Sequence, residues 1–549
     1  MKQMLLLIVA LMLMSIPEAY SQTSGNSYEV SLSEITKLKM STEMPIGQVW
    51  PRGNENGIMY AYIPPYYEGK VVFAPPAKYK KRYMALIKPN LEVSNYKEIS
   101  LNEGSEFDEV IYFSNTLHVF SINSTEDLSK NILSVNTLNK NDLTIENDKK
   151  ELIQVSYSDS KSIQNIFFKY RFSPDSSKLL ITYQLISKDQ SIVSNGIAVF
   201  DKEFNTIWSD QSLDFDLGNG AYLFKEFKMD NNGNVFAYID VYDSKEDLQD
   251  VWDLRHGLLR ELGFTSKYLK QSPDYTGHMV CITNNGKSIK SHILSFDERK
   301  IRYLAFEPYN DKLICVGLHS NKGQTSIIGT SYFEINPQKN TIQKKENFEY
   351  DLNYMLCGLD EKEVTKTKEL HMAKEEFENG LYNVEIKMRE DGGFWFLAEH
   401  FDISKEKMPA GPQGTIWLDC YHYKDISVLS FDKNGNIIWK EKIDKLSFTT
   451  FEQSMYGSYA TCVNKDKLDI FYNRIDRKVN ALWDYKNASF EVSGFNNEGL
   501  KTTITLSTVK EHEIIFQPFN IGMFSNKMLF FSGQETAKNR FMKVTIHQN

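Results

Sequence analysis

The feature that most narrows the fold is a turn that occurs twice, far apart in the chain. Residues 199–208 (VFDKEFNTIW) and 430–439 (SFDKNGNIIW) both end an apolar run in Phe-Asp and start an Ile-Trp run six residues after the Asp. An Asp carboxylate at that place accepts backbone N–H groups of the turn, and Asn434–Gly435 supplies positive φ at no steric cost. The pattern is that of a β-hairpin whose Ile and Trp re-enter a packed face.

A looser unit accompanies it. Residues 172–182 (FSPDSSKLLIT), 227–238 (FKMDNNGNVFAY), 306–316 (FEPYNDKLICV), 388–397 (MREDGGFWFL) and 463–472 (VNKDKLDIFY) each pass from a strand through an Asp/Asn/Gly-rich turn into β-prone residues. No such hairpin buries its apolar face alone, but hairpins stacked in sheets and sheets set radially do so. The spacing predicts an all-β chain, a β-propeller of about six to eight irregular blades. Tandem β-sandwich domains are the alternative, which the lack of a Pro/Gly/Ser-rich boundary disfavours. Two segments break the strand period and predict short helical insertions. In residues 248–263, Leu248, Val251, Leu254, Leu258 and Leu262 recur at helical spacing before Gly263, and residues 361–379 are charged helix formers closed by Gly380. The C-terminal residues 541–546 (FMKVTI) read as a final strand.

The SPDSSKLLITY segment resembles the SPDG-type turn of TolB-like and WD40-like propeller repeats. The stretch 421–473, with YHYKDISVLSFDKNGNIIWKEKI and SYATCVNKDKLDIFYN, resembles a group of exported proteins of Bacteroidetes-type bacteria. No activity is assigned to that group, so the likeness implies fold and location only.

Location follows independently from the first residues. Lys2, an apolar run over 4–14, the helix-breaking Pro17 and small residues at Ala19 and Ser21 follow the order of a cleavable secretory signal peptide. A spanning helix needs about 20 apolar residues, so this run is too short to anchor the chain. Residues 1–21 are thus expected to be the leader and residues 22–549 the propeller body. The body is exported, periplasmic or extracellular, with no Cys beside the cleavage point for a lipid anchor and no membrane span.

A net charge of −9 argues against a nucleic-acid partner, which needs a clustered positive surface. The basic run Lys78, Lys80, Lys81 and Arg82 reads as a solvated edge. The five cysteines, Cys281, Cys315, Cys357, Cys420 and Cys462, are an odd number without zinc spacing, and four of them lie in apparent strands. Buried small hydrophobes explain them better than a disulfide framework, although one strand-to-strand bridge is open to them.

Nucleophile elbows, HExxH, phosphate-binding loops and calcium loops are missing. Neither a cofactor nor a metal is expected. The polar cluster most suited to a site is Glu399 and His400 at the end of FWFLAEHFD, with Asp419, His422 and Tyr423 after the intervening loop 408–414. If His400 and His422 stand on adjacent strands, imidazole and carboxylate converge there, able to bind a ligand or relay protons. Turn and edge residues satisfied by neighbouring backbone are the plainer account. Tyr60, Tyr62, Tyr66 and Tyr67, followed by residues 73–79 (FAPPAKY), offer a possible aromatic platform, buried strand aromatics being the commoner case. Repeat architecture without a catalytic motif predicts a non-enzymatic binding or scaffold protein for a protein, peptide or glycan ligand. The alternatives are a polysaccharide-acting propeller hydrolase or lyase, which needs paired carboxylates, and an envelope structural subunit.

Overall fold

In seven of the eight sheets among the described residues of the computed structural model, the main path runs through strands that follow one another in sequence, each antiparallel to the next, as hairpin repeats demand. The structure describes residues 26–548 outside 35–49, 54–58, 64–80, 157–162, 248–274, 374–380, 410–414, 451–455, 476–486 and some shorter stretches. The expected leader, the insertion at 248–263, Tyr66, Tyr67, the segment 73–79 and the basic Lys78 and Lys80 lie outside the described residues. The other predicted insertion is a helix, Glu361–Ala373, preceded by a short helix, Leu352–Leu356. Among the described residues there are eight four- or five-stranded sheets, and the chain is an eight-bladed β-propeller. Sandwich domains are thereby ruled out.

The chain divides into two compact units. One holds the sheet running from Trp50–Gly53 to Val93–Ser100, the sheet from Tyr459–Asn464 to Lys501–Thr508, and a last sheet of mixed origin. In that last sheet the N-terminal strand Asn26–Leu32 pairs along its whole length with the C-terminal strand Lys538–Gln548. The predicted final strand is therefore real, and its outer neighbour comes from the other end of the chain. The Tyr28 hydroxyl donates to Asp469 at 2.7 Å and Asn26 Nδ2 to the same carboxylate at 3.1 Å, tying this strand to the adjoining blade.

The other unit holds five blades, over residues 105–156, 163–210, 222–293, 299–349 and 381–450. Its core lies between sheets rather than within them. One cluster joins Phe120 and Leu133 of one blade to Ile181 and Phe200 of the next, and another joins Val199 and Trp208 to Val235 and Val280. This arrangement fixes what each strand must look like. Second strands such as Val235–Tyr242 are covered on both faces and read as continuous apolar runs, whereas the fourth strand Thr341–Glu349 alternates exposed and half-buried at every step. Charges such as Lys344 and Glu346 on that edge discourage strand addition. Cys281, Cys315 and Cys462 are buried and Cys357 is exposed, and none of these four is in a disulfide.

The repeated turn has one chemistry. In three places an Asp Oδ1 accepts from the backbone N–H two and four residues on, and its Oδ2 accepts from the side-chain amide of an Asn four residues on. The sets are Asp201 with Asn205, Asp230 with Asn234, and Asp432 with Asn436, all bonds being 2.7–3.0 Å. The residue before each Asn has positive φ: Gly233, Gly435 and, unusually, Phe204 at 59°. The turns also join blades. Lys150, on the last strand of one blade, donates to Glu203 O and Asn205 Oδ1 of the next, and Lys344 reaches Asn434 O at 2.7 Å in the same way.

Phe204 accepts a left-handed backbone because its ring packs on the preceding blade, 4.8 Å from His118 and 5.6 Å from Phe113. Left-handed backbone costs a non-glycine residue about 1–2 kcal/mol, and emptying a buried Phe site costs about 3–5 kcal/mol. Phe204→Gly is therefore expected to lose about 2 kcal/mol net in chemical denaturation. A gain in stability would show that backbone strain outweighs the ring contacts.

Candidate functional site

Three of the five site residues picked from sequence gather in the last blade of the five-blade unit. Glu399 and His400 stand on the strand Phe394–Pro409, and Tyr423 on its neighbour Thr415–Phe431. The register shifts between Glu399 and Phe401, so that His400 alone faces both Lys424 and Asp425. That bulge is what brings His400 Nδ1 within 3.4 Å of Asp425 Oδ1.

The other side of Asp425 faces Lys442 of the fourth strand at 3.3 Å. Burial works to raise the Asp425 pKa, but the His400 hydrogen bond and the Lys442 charge outweigh it and hold the carboxyl at about 2. Glu399 is fully buried and paired with the equally buried ammonium of Lys445, with Asn383 Nδ2 donating to its other oxygen at 3.3 Å. Burial pushes the Lys445 pKa down and the Glu399 charge partly restores it. Aromatic rings roof the cluster: Tyr382 stacks on His400 at 5.1 Å, Tyr423 on Phe401 at 5.7 Å, and Lys445 Nζ lies 5.2 Å from the Tyr423 ring centre.

The remaining two residues do not join this group in the register. His422 stands opposite Asp402 and Phe448, and Asp419 opposite Lys405. Asp419 is six residues from Asp425 along one strand, about 20 Å at ~3.3 Å per residue. Chemically the cluster is a set of internal ion pairs. Glu399 and Asp425, its carboxylates, already hold a cation each, which suits cross-strand cohesion better than turnover.

A different place gathers cations, amides and an exposed ring, and sequence reading missed it. The first strands of two consecutive blades, Ile163–Phe172 and Tyr222–Met229, flank a cleft of about 480 Å³, solvent at its mouth included. Phe167, Lys169 and Arg171 alternate along one strand and so share one face, with the Phe167 ring 48% exposed. Among the described residues nothing lies within hydrogen-bonding or ion-pairing distance of the Lys169 ammonium. Surrounding atoms and then the Arg171 charge lower its pKa, while Glu226 raises it. Gln184 and Asn195 supply a neutral floor, joined by a 3.1 Å hydrogen bond from Gln184 Nε2 to Asn195 Oδ1. Lys225 is spoken for, its ammonium 3.1 Å from the buried Asp240. The legible signal was the phenylalanine-then-basic alternation in FFKYR, just before the SPD turn. What could not be read was which blade faces it.

No helix among the described residues is long and apolar enough to cross a membrane. No family model and no curated protein matches this chain. Among solved structures, the WD40 domain of SCAP from fission yeast is similar over 94% of this chain and 98% of that one, at 8% identity and a TM-score of 0.35. The β-propeller domain of the Trilobed protease from Pyrococcus furiosus matches over 85% and 97%, at 9% identity and a TM-score of 0.33. The Dos1 propeller matches over 92% and 82%, at 7% identity and a TM-score of 0.30. At these values the eight sheets of the chain itself, rather than the likenesses, carry the fold: a β-propeller.

Proposed function

We propose that this protein is a non-enzymatic binding propeller that works outside the cytoplasm and holds its ligand in the cleft beside Lys169. The leader-like residues 1–21 support the location. One observation carries the binding reading: Glu226 is the only carboxylate among the described residues that line the cleft, beside two neutral amides and three cations, of which Lys225 is paired with Asp240. Glycoside hydrolysis in its usual form takes a pair of carboxylates about 5–10 Å apart, one to protonate and one to attack or activate water. Cations and amides beside a single acid recognise carboxyl and hydroxyl groups without the second acid that turnover requires.

The test is to incubate the purified protein with arrays of glycans and peptides and follow both retention and product masses. Retention of a ligand class that returns unchanged is expected. Shortened or unsaturated products would overturn the reading in favour of a hydrolase or lyase.

A further inference from the structure

We infer that the cleft between the strands Ile163–Phe172 and Tyr222–Met229 binds an acidic glycan through a uronic-acid sugar, whose carboxylate sits between Lys169 and Arg171. The inference rests on the binding reading above and names its ligand class. Three features of the cleft select this chemistry together.

The first is charge. Lys225 is neutralised by Asp240, so the cleft's free charges are Lys169 and Arg171 against Glu226. Two positive charges less one negative leave one positive charge to be met. A monoanionic carboxylate balances that, whereas a phosphate with close to two negative charges would sit beside the Glu226 carboxylate with charge left over. Lys169 and Arg171 lie two residues apart on one strand face, so an ammonium and a planar fork converge on one anion. The absence of a described partner for the Lys169 ammonium leaves it to recruit one from outside.

The second is the neutral floor. The hydrogen bond between Gln184 and Asn195 uses one donor and one acceptor, leaving the Gln184 carbonyl oxygen and the Asn195 NH2 for a ligand. One acceptor and one donor side by side suit vicinal sugar hydroxyls, each of which both gives and takes. The third is the ring of Phe167, exposed at the rim on the same strand face as the cations. An aromatic face there covers the C–H face of a pyranose while its carboxyl and hydroxyls point inward. An acidic peptide would satisfy the cations but would leave the amide pair without a matched diol.

Titration calorimetry on the purified protein decides this with three probes of similar length: tetragalacturonate, its methyl ester and tetraglutamate. Tetragalacturonate is expected to bind, with the neutral ester at least 10-fold weaker and tetraglutamate weaker by a similar factor. The double variant Lys169→Gln/Arg171→Gln should lose at least 10-fold for tetragalacturonate while melting as the parent does, since both side chains are exposed. Phe167→Ala should weaken binding several-fold without changing the preference for acid over ester. Equal binding of acid and ester, an unchanged double variant, or tetraglutamate binding as well as the sugar would each overturn the inference. Should the galacturonate be bound and then shortened, the ligand class stands and the non-enzymatic reading fails instead.

Discussion

Lys445→Met is expected to destabilise the protein by about 3–5 kcal/mol, the scale for removing one partner of a buried ion pair. The parent pair is fully buried on both sides, and without the ammonium the Glu399 carboxylate loses the Lys445 counter-charge while retaining the Asn383 amide. Water cannot replace the lost partner, so the variant is driven to protonate Glu399. The loss should therefore shrink as pH falls, which distinguishes a stranded charge from a simple packing defect. Glu399→Leu/Lys445→Met removes both charges, and most of the loss should return. Denaturation of the parent and the two variants, followed by tryptophan fluorescence, checks this. If the double variant is as weak as Lys445→Met, the pair contributes by shape and not by charge.

The second large effect concerns Asp469, buried beneath the N-terminal strand. Burial raises its pKa to about 6, against an ordinary 3.8, despite the hydrogen bonds from Tyr28 and Asn26. A raised folded-state value means that the stabilising form is the protonated one. Its contribution is complete below about pH 4 and is lost as pH rises through 6. A shift of this size corresponds to about 3 kcal/mol at ~1.4 kcal/mol for each pH unit. Asp469→Asn keeps an acceptor for the Tyr28 hydroxyl and has no proton to lose. Between about pH 3 and 7 the parent should weaken relative to this variant by about that amount. Parallel pH profiles would show that Asp469 stays protonated or finds a counter-charge.

What could be read in advance was whatever a few neighbouring residues decide. The Asp-x-x-Gly-Asn turns were legible because their hydrogen bonds close within five residues, from Asp432 to Asn436 for example. The helix Glu361–Ala373 shows in its run of charged helix formers. The grouping of Glu399, His400 and Tyr423 followed from their strands being neighbours. The partners were not legible. Lys445 and Lys442 arrive from the far end of the hairpin, and a one-residue register shift, invisible in sequence, turns Asp425 toward His400. Asp419 went astray because its strand runs for 17 residues, much longer than a blade needs. The cleft was missed for the same reason: Lys169 and Glu226 belong to different blades, and nothing local says that those blades meet there.

The pairing of Asn26–Leu32 with Lys538–Gln548 has a kinetic side. Its partners are separated by more than 500 residues, as Leu32 with Met542 shows. Closing a free loop of that length costs about 4 kcal/mol more than closing a four-residue hairpin, by the logarithmic growth of closure entropy. The seam therefore forms last, after the intervening blades have folded and shortened the path between its two strands. A ribosome delivers the first of these strands long before the second. In the interval both Tyr28 and the Asp469 side of its neighbour blade wait without each other, and the nascent protein carries an unpaired sheet edge. Synthesis time, not only final stability, sets how long that edge is open to mispairing with another copy.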